Sequence, residues 1–188
     1  EILALDVEFP RERHQPRPHA LILRIVHRLQ LFHLIFRIIV YDHFERLQYP
    51  QDPGRPFVQI FADAVLEQAG VRADEIEMIL VATITPDMLF PSTACLVQSK
   101  IGAVNAWGFD LGAACSGFTY ALTTAAQMVG SGSHDHALVI GADVMSSIID
   151  YQDRTTCIIF GDGAGAAIVS PATDEGLGLV DFAHEIDG

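Results

Sequence analysis

Residues 109–120, Phe-Asp-Leu-Gly-Ala-Ala-Cys-Ser-Gly-Phe-Thr-Tyr, are the stretch that most constrains what this chain can become. An apolar run of strand length, 107–111, passes into a helical pattern that continues to about residue 128, and Gly112, Ala113, Ala114, Ser116 and Gly117 surround Cys115 at the junction. Small residues on both sides leave room for a sharp backbone bend and for the approach of a substrate carbonyl. A helix N-terminus presents unpaired backbone N–H groups and the positive end of the helix dipole, which together favour a thiolate, the nucleophilic form of cysteine. A free cysteine in an apolar run more often packs as a small hydrophobe. The strand, the small residues and the helix around Cys115 turn that preference toward the nucleophile.

From residue 57 onward, strand and helix patterns alternate. Phe57, Ile60, Phe61, Ala64, Val65 and Ala69 recur at helical spacing ahead of Gly70, which stands where a C-cap glycine belongs. Residues 76–85 form an apolar, β-branched run closed by Pro86, and Ser92 or Thr93 is expected to cap a second helix that ends at Gly102. After the cysteine helix, residues 137–141 read as a fully buried strand. Residues 157–160 and 165–169 read as two more strands, joined through Gly161-Asp162-Gly163-Ala164. The alternation predicts an α/β domain with a mixed, largely parallel sheet covered by helices.

Composition bounds the reading. A chain of 188 residues that is 50% hydrophobic supports one sizeable domain with a real core. Of its eleven basic residues only Arg72, Lys100 and Arg154 fall in 57–188, where most of the 24 acids lie, so this body repels nucleic acid. Cys95, Cys115 and Cys157 form no Cys-x-x-Cys pair and have no His at ligand spacing, which points to neither a zinc site nor a disulfide framework and fits a reducing cytoplasm. The N-terminus lacks the features of a secretory signal. Residues 1–56 read as an atypical segment, with five of the eight His and an apolar run at 21–40 interrupted by Arg24, Arg28 and Arg37. A membrane-surface helix ranks low there because a clean polar face is missing; a buried helix with snorkelling arginines, or sequence foreign to the following fold, are the alternatives.

Two constellations compete with the cysteine for a chemical role. Residues 161–166, Gly-Asp-Gly-Ala-Gly-Ala, satisfy a loose dinucleotide pattern, but a strand rather than a helix is expected after them, so a tight structural turn is favoured. His134-Asp135-His136 has no third ligand at useful spacing and is expected to be a solvated loop. Arg154 is the only arginine of the last hundred residues. Binding a phosphate or an adenine face, and pairing with Asp150 or Asp153, are equally open to it.

Taken together, the segments 81–95, 109–118 and 153–167 resemble the β-ketoacyl-acyl-carrier-protein synthase III family of the thiolase superfamily, over roughly residues 57–188. The resemblance implies a thiolase-like layered α/β fold, N-terminal half only, and an acyltransferase of fatty acid biosynthesis initiation. In that reaction an acyl group passes from coenzyme A to the cysteine and condenses with malonyl-acyl-carrier protein as carbon dioxide leaves. It implies Cys115 as the acylated nucleophile, Arg154 against the adenine of coenzyme A, and Met145 and Phe160 along the acyl pocket. Phe90 would reach into the pocket of a homodimer partner. Acyl-coenzyme A is then a substrate, and no cofactor or metal is expected. The family's catalytic His and Asn lie in a second half expected after residues 184–188, so this chain alone is expected to be inactive in condensation. Another thiolase-superfamily condensing enzyme, or a non-catalytic binding or dimerisation module, are the alternative functions.

Overall fold

The computed structural model describes residues 57–172, 178–179 and 181–186. The atypical segment 1–56, with its apolar run at 21–40, lies outside the described residues, as do the last two residues of 184–188. Residues 57–172 and 178–179 belong to one compact unit, and 181–186 to another. Within the second, the Phe182 N–H donates to Asp181 Oδ1 (2.8 Å) and the Phe182 and His184 rings lie 5.4 Å apart.

The main unit is a four-stranded sheet in the order β2-β1-β3-β4. β1 (Met78–Ala82) is central and pairs in parallel with β2 (Trp107–Leu111) on one side and β3 (Ala137–Asp143) on the other. β4 (Gly163–Val169) runs antiparallel to β3, with Asp143 opposite Gly163. The mixed, largely parallel sheet is therefore present.

Three helices cover it. α1 (Phe57–Ala69) ends at Gly70, whose φ of 67° is the left-handed conformation that favours glycine. α2 (Thr93–Ile101) starts from Ser92, whose hydroxyl accepts the Cys95 N–H, and ends at Gly102 (φ 74°). α3 (Gly117–Gly130) follows the cysteine turn. The α2 crossover steps from β1 to β2 and the α3 crossover steps back from β2, past β1, to β3; opposite directions send the two helices to opposite faces when both crossovers are right-handed.

Side-chain alternation shows the result. Ile79 and Val81 of β1, with Leu138 and Ile140 of β3, pack among Phe61, Val65 and Val97 of α1 and α2. Met78, Leu80 and Ala82 point the other way, toward Ala121, Ala125 and Val129 of α3. Every residue of β1 is buried, as expected for a parallel strand covered on both faces.

Two strand expectations change. The run 76–85 contributes only Met78–Ala82: beyond it Thr83 N–H still reaches Leu111 C=O (3.2 Å), but Ile84 N–H turns to the Asp143 carboxylate (2.8 Å). Residues 157–160 are a turn, not a strand. The Thr156 and Cys157 N–H groups both donate to Asp153 C=O, and Ile158, Ile159 and Phe160 are exposed and pair with neither edge of the sheet. The next strand instead begins early, at Gly163 rather than 165.

Candidate active site

The carboxyl ends of β1, β2 and β3 and the start of β4 share one edge of the sheet, since Ala82 lies opposite both Leu111 and Gly141, and Asp143 opposite Gly163. In open α/β sheets this is the edge at which ligands bind. The loops leaving it carry the residues singled out above.

Cys115 sits in a single 3-10 turn, Ala114–Ser116, between β2 and α3, and is exposed. Ala114, immediately before it, has φ 45°, a left-handed backbone conformation that costs an alanine on the order of 1–3 kcal/mol. The packing of α3 holds that turn in place. Gly117 is buried, and a Cβ on it would fall 3.1 Å from the Cβ of Ala82, so the absence of a side chain lets α3 begin against the end of β1. The Phe118 ring lies over Gly141 of β3 in the same close manner, 3.1 Å from where a Cβ would stand. The first bond of the turn is Ser116 N–H to Ala113 C=O (3.1 Å), which leaves the N–H groups of Ala114 and Cys115 before the start of the helical ladder.

Asp143, Asp110 and Asp162 organise the loops around this turn, and none of them stood out in the sequence. Asp143 Oδ1 accepts from Thr83 Oγ1, Ile84 N–H and Thr85 Oγ1 (3.1, 2.8 and 3.1 Å). Asp110 of β2 places one oxygen on Thr93 N–H (2.7 Å) and the other on Ala94 N–H (2.8 Å), a carboxylate set against the positive end of α2. Asp162 receives Ser146 N–H and Ser146 Oγ (both 2.7 Å), which ties the glycine-rich turn to the 3-10 turn after β3. The available signal was an acid inside or closing an apolar strand, as in Gly-Phe-Asp-Leu and Gly-Ala-Asp, where burial demands a partner.

Met145 begins the 3-10 turn Met145–Ser147 and is half-buried; Phe160, 47% exposed, precedes the glycine-rich turn. The Asp162–Ser146 contacts bring these two segments together. Phe90 stands on the loop between β1 and α2 and is 89% exposed, beside Leu89 at 95%.

Arg154 is exposed and makes no ion pair with a described residue, Asp150 and Asp153 included. Asp150 accepts from Gln152 N–H, and Asp153 from Thr155 N–H, Thr155 Oγ1 and Thr156 Oγ1 (2.9, 2.6 and 2.8 Å). These bonds, led by the Thr155 hydroxyl, hold the Asp153 carboxyl below its ordinary range. A depressed carboxylate supports its turn above the unfolded-state pKa and loses that support as the pH falls through the folded-state value. In an NMR titration Asp153 is expected to protonate below the ordinary range of an aspartate, and Thr155→Val to return it toward that range; an unchanged midpoint in that variant would refute the assignment.

The glycine-rich segment leads into β4, so no helix follows it to hold a pyrophosphate. His134 and His136 are less solvated than expected. His134 Nε2 accepts from the Trp107 indole N–H (2.9 Å), His136 Nδ1 lies 2.7 Å from the Ser170 hydroxyl, and both are half-buried. A cavity of about 300 Å³ lined by Asp74, Glu75, Glu77, Asn105, Asp135 and His136 opens at the opposite end of the strands, where its carboxylates disfavour a phosphate-bearing ligand. Among the described residues no helix is long and apolar enough to cross a membrane.

The family model for 3-oxoacyl-[acyl-carrier-protein] synthase III matches residues 109–188. The chain is 59% identical over 127 residues to the β-ketoacyl-[acyl-carrier-protein] synthase III of Chlorobium phaeovibrioides, covering 68% of this chain and 39% of that protein. Among solved structures it is similar to the 3-oxoacyl-[acyl-carrier-protein] synthase III of Aquifex aeolicus, at 45% identity and a TM-score of 0.61, covering 62% of this chain and 38% of that one. The priming β-ketosynthase of the R1128 polyketide pathway matches at 41% identity and a TM-score of 0.59, covering 65% and 37%. The chain thus spans about two fifths of the length of the curated relatives it matches. On its sequence likeness and its layered fold together, the chain belongs to the β-ketoacyl-acyl-carrier-protein synthase III family of the thiolase superfamily.

Proposed function

We propose that Cys115 is the nucleophile of an acyl transfer that primes a decarboxylative Claisen condensation. The observation that carries this is an exposed sulfur at a turn from strand to helix, in a chain similar to proteins named as β-ketoacyl-acyl-carrier-protein synthases. The Cys115 thiolate attacks the carbonyl of an acyl-coenzyme A, the carbon–sulfur bond to coenzyme A breaks, and the coenzyme leaves as a thiolate that takes its proton from water. The N–H of Cys115, lying before the helical ladder, is placed to donate to the oxyanion that forms. In the second step malonyl-acyl-carrier protein loses carbon dioxide. The resulting carbanion attacks the Cys115 thioester, and the β-ketoacyl group leaves on the carrier while the thiolate is restored.

Arg154, with no acidic partner among the described residues, is assigned to the adenine of coenzyme A, where a guanidinium stacks on an aromatic face. Met145 and Phe160, on segments joined by Asp162, are assigned to the acyl pocket, and the exposed Phe90 to the pocket of a second copy in a homodimer. Residues 57–188 then form the nucleophile-bearing part of the ketosynthase, acting in the cytoplasm in fatty acid biosynthesis, with 1–56 as a separate segment. The similarity to a polyketide priming ketosynthase favours a second reading, a condensing enzyme of specialised metabolism. Product analysis with defined acyl donors separates the two.

The test is incubation of the protein carrying this chain with acetyl-coenzyme A, followed by mass mapping of the three cysteines. An acetyl group on Cys115, and none on Cys95 or Cys157, is expected; label on either of the others in its place would refute the assignment.

A further inference from the structure

The geometry points to Asp143 as a positioning residue that sets acyl-chain selectivity, by fastening the loop that carries Phe90 to the turn that carries Met145. This deepens the acyl-transfer reading and rests on it.

The fastening is a closed hydrogen-bond circuit. Thr83 Oγ1 donates to Asp143 Oδ1 and accepts Thr85 N–H (both 3.1 Å). Thr85 Oγ1 donates to the same oxygen (3.1 Å) and accepts Val144 N–H (2.8 Å). Each hydroxyl has one proton to give, so donation to Asp143 fixes which way both of them face. Ile84 N–H adds a third donor to Oδ1 (2.8 Å). Thr83 is buried and Asp143 half-buried, where such bonds are less weakened by water than at the surface.

The circuit joins the end of β1 to the end of β3, some sixty residues apart in the chain. Met145 follows Val144 directly, while residues 86–91, which include Phe90, make no hydrogen bond to other described residues. The path of that loop is therefore set at its two roots, the Asp143 circuit on one side and the Asp110-capped start of α2 on the other. Loss of the circuit frees the root nearest Met145, and with it the position of Met145 in this copy's acyl pocket and of Phe90 in the second copy's. Because all three donors converge on Oδ1, Asp143→Asn keeps an acceptor in place, whereas Asp143→Ala removes it. Thr85→Val preserves the side-chain shape and deletes the link to Val144.

The experiment follows acylation of Cys115 by intact-protein mass with acetyl-coenzyme A and octanoyl-coenzyme A as the two probes, in the protein carrying this chain. Asp143→Ala and Thr85→Val are each expected to change the ratio of the two rates by at least about tenfold, the size of effect that misplacing a pocket wall produces. Asp143→Asn is expected to keep the parent ratio within about threefold. Should Asp143→Ala fail to fold by circular dichroism, Thr85→Val decides. An unchanged ratio, with both rates slowed alike, would overturn the proposal while leaving acyl transfer standing, as would equal effects of Asp143→Asn and Asp143→Ala. Parent protein that accepts neither donor would overturn acyl transfer itself, and this proposal with it.

Discussion

In the protein carrying this chain, Cys115→Ala is expected to remove the proposed acyl-enzyme altogether and to lower the proposed condensation by at least about a thousandfold, a loss of about 4 kcal/mol of transition-state stabilisation. No neighbouring group can replace the sulfur: Ser116 lacks a thiolate's nucleophilicity, and Cys95 lies in α2, where its sulfur receives the Ser92 hydroxyl (3.2 Å). The fold should tolerate the change, because Cys115 is exposed and substitutions at such positions shift stability by about 0.5 kcal/mol or less. The measurement is intact mass after incubation with acyl-coenzyme A, beside a urea unfolding curve. A variant that still gains the acyl mass would remove the basis of the proposed function. A variant that loses it by unfolding would instead reassign Cys115 to the core.

Leu80→Ala gives the largest stability effect. Leu80 lies in the middle of the central strand with no solvent exposure and packs with Ala121 and Ala125 of α3. Those facing residues are small, so neither can extend to fill the space a truncated leucine leaves. Removing a buried leucine side chain costs about 2–5 kcal/mol, the larger values belonging to sites that cannot collapse. In urea the midpoint should fall by that free energy divided by the slope of the transition, with the slope itself little changed. Val104→Ala, at a side chain 73% exposed, serves as the control and should shift stability by about 0.5 kcal/mol or less. A Leu80 variant no worse than that control would mean that α3 does not pack on β1 as described. The Cys115 turn would then lose its support, because Gly117 meets Ala82 at the same interface.

Local signals were legible in the chain wherever a few adjacent residues carry the whole cause. Gly70 and Gly102 take the left-handed conformation that stops a helix, and Ser92 supplies its own hydroxyl to the first turn of α2. Strand 107–111 and the turn at Cys115 were found for the same reason: small residues between two periodic runs leave few ways for the backbone to go. The run 157–160 shows where such reading fails. Ile158, Ile159 and Phe160 have every β propensity, but a strand exists only if an edge accepts it, and these side chains stand exposed on a turn organised by Asp153.

What the sequence determined by itself was the three helices, four of the five expected strands, the family, and the one sulfur placed between β2 and α3. What only the tertiary structure decided was the strand order β2-β1-β3-β4, the freedom of Arg154 from its acidic neighbours, and the work of Asp110, Asp143 and Asp162. Helix caps and periodicity depend on residues a few positions apart, whereas Thr83 meets Asp143 only after two crossovers have brought the ends of β1 and β3 side by side. A carboxylate's partners are chosen by that juxtaposition, which no short window of sequence contains.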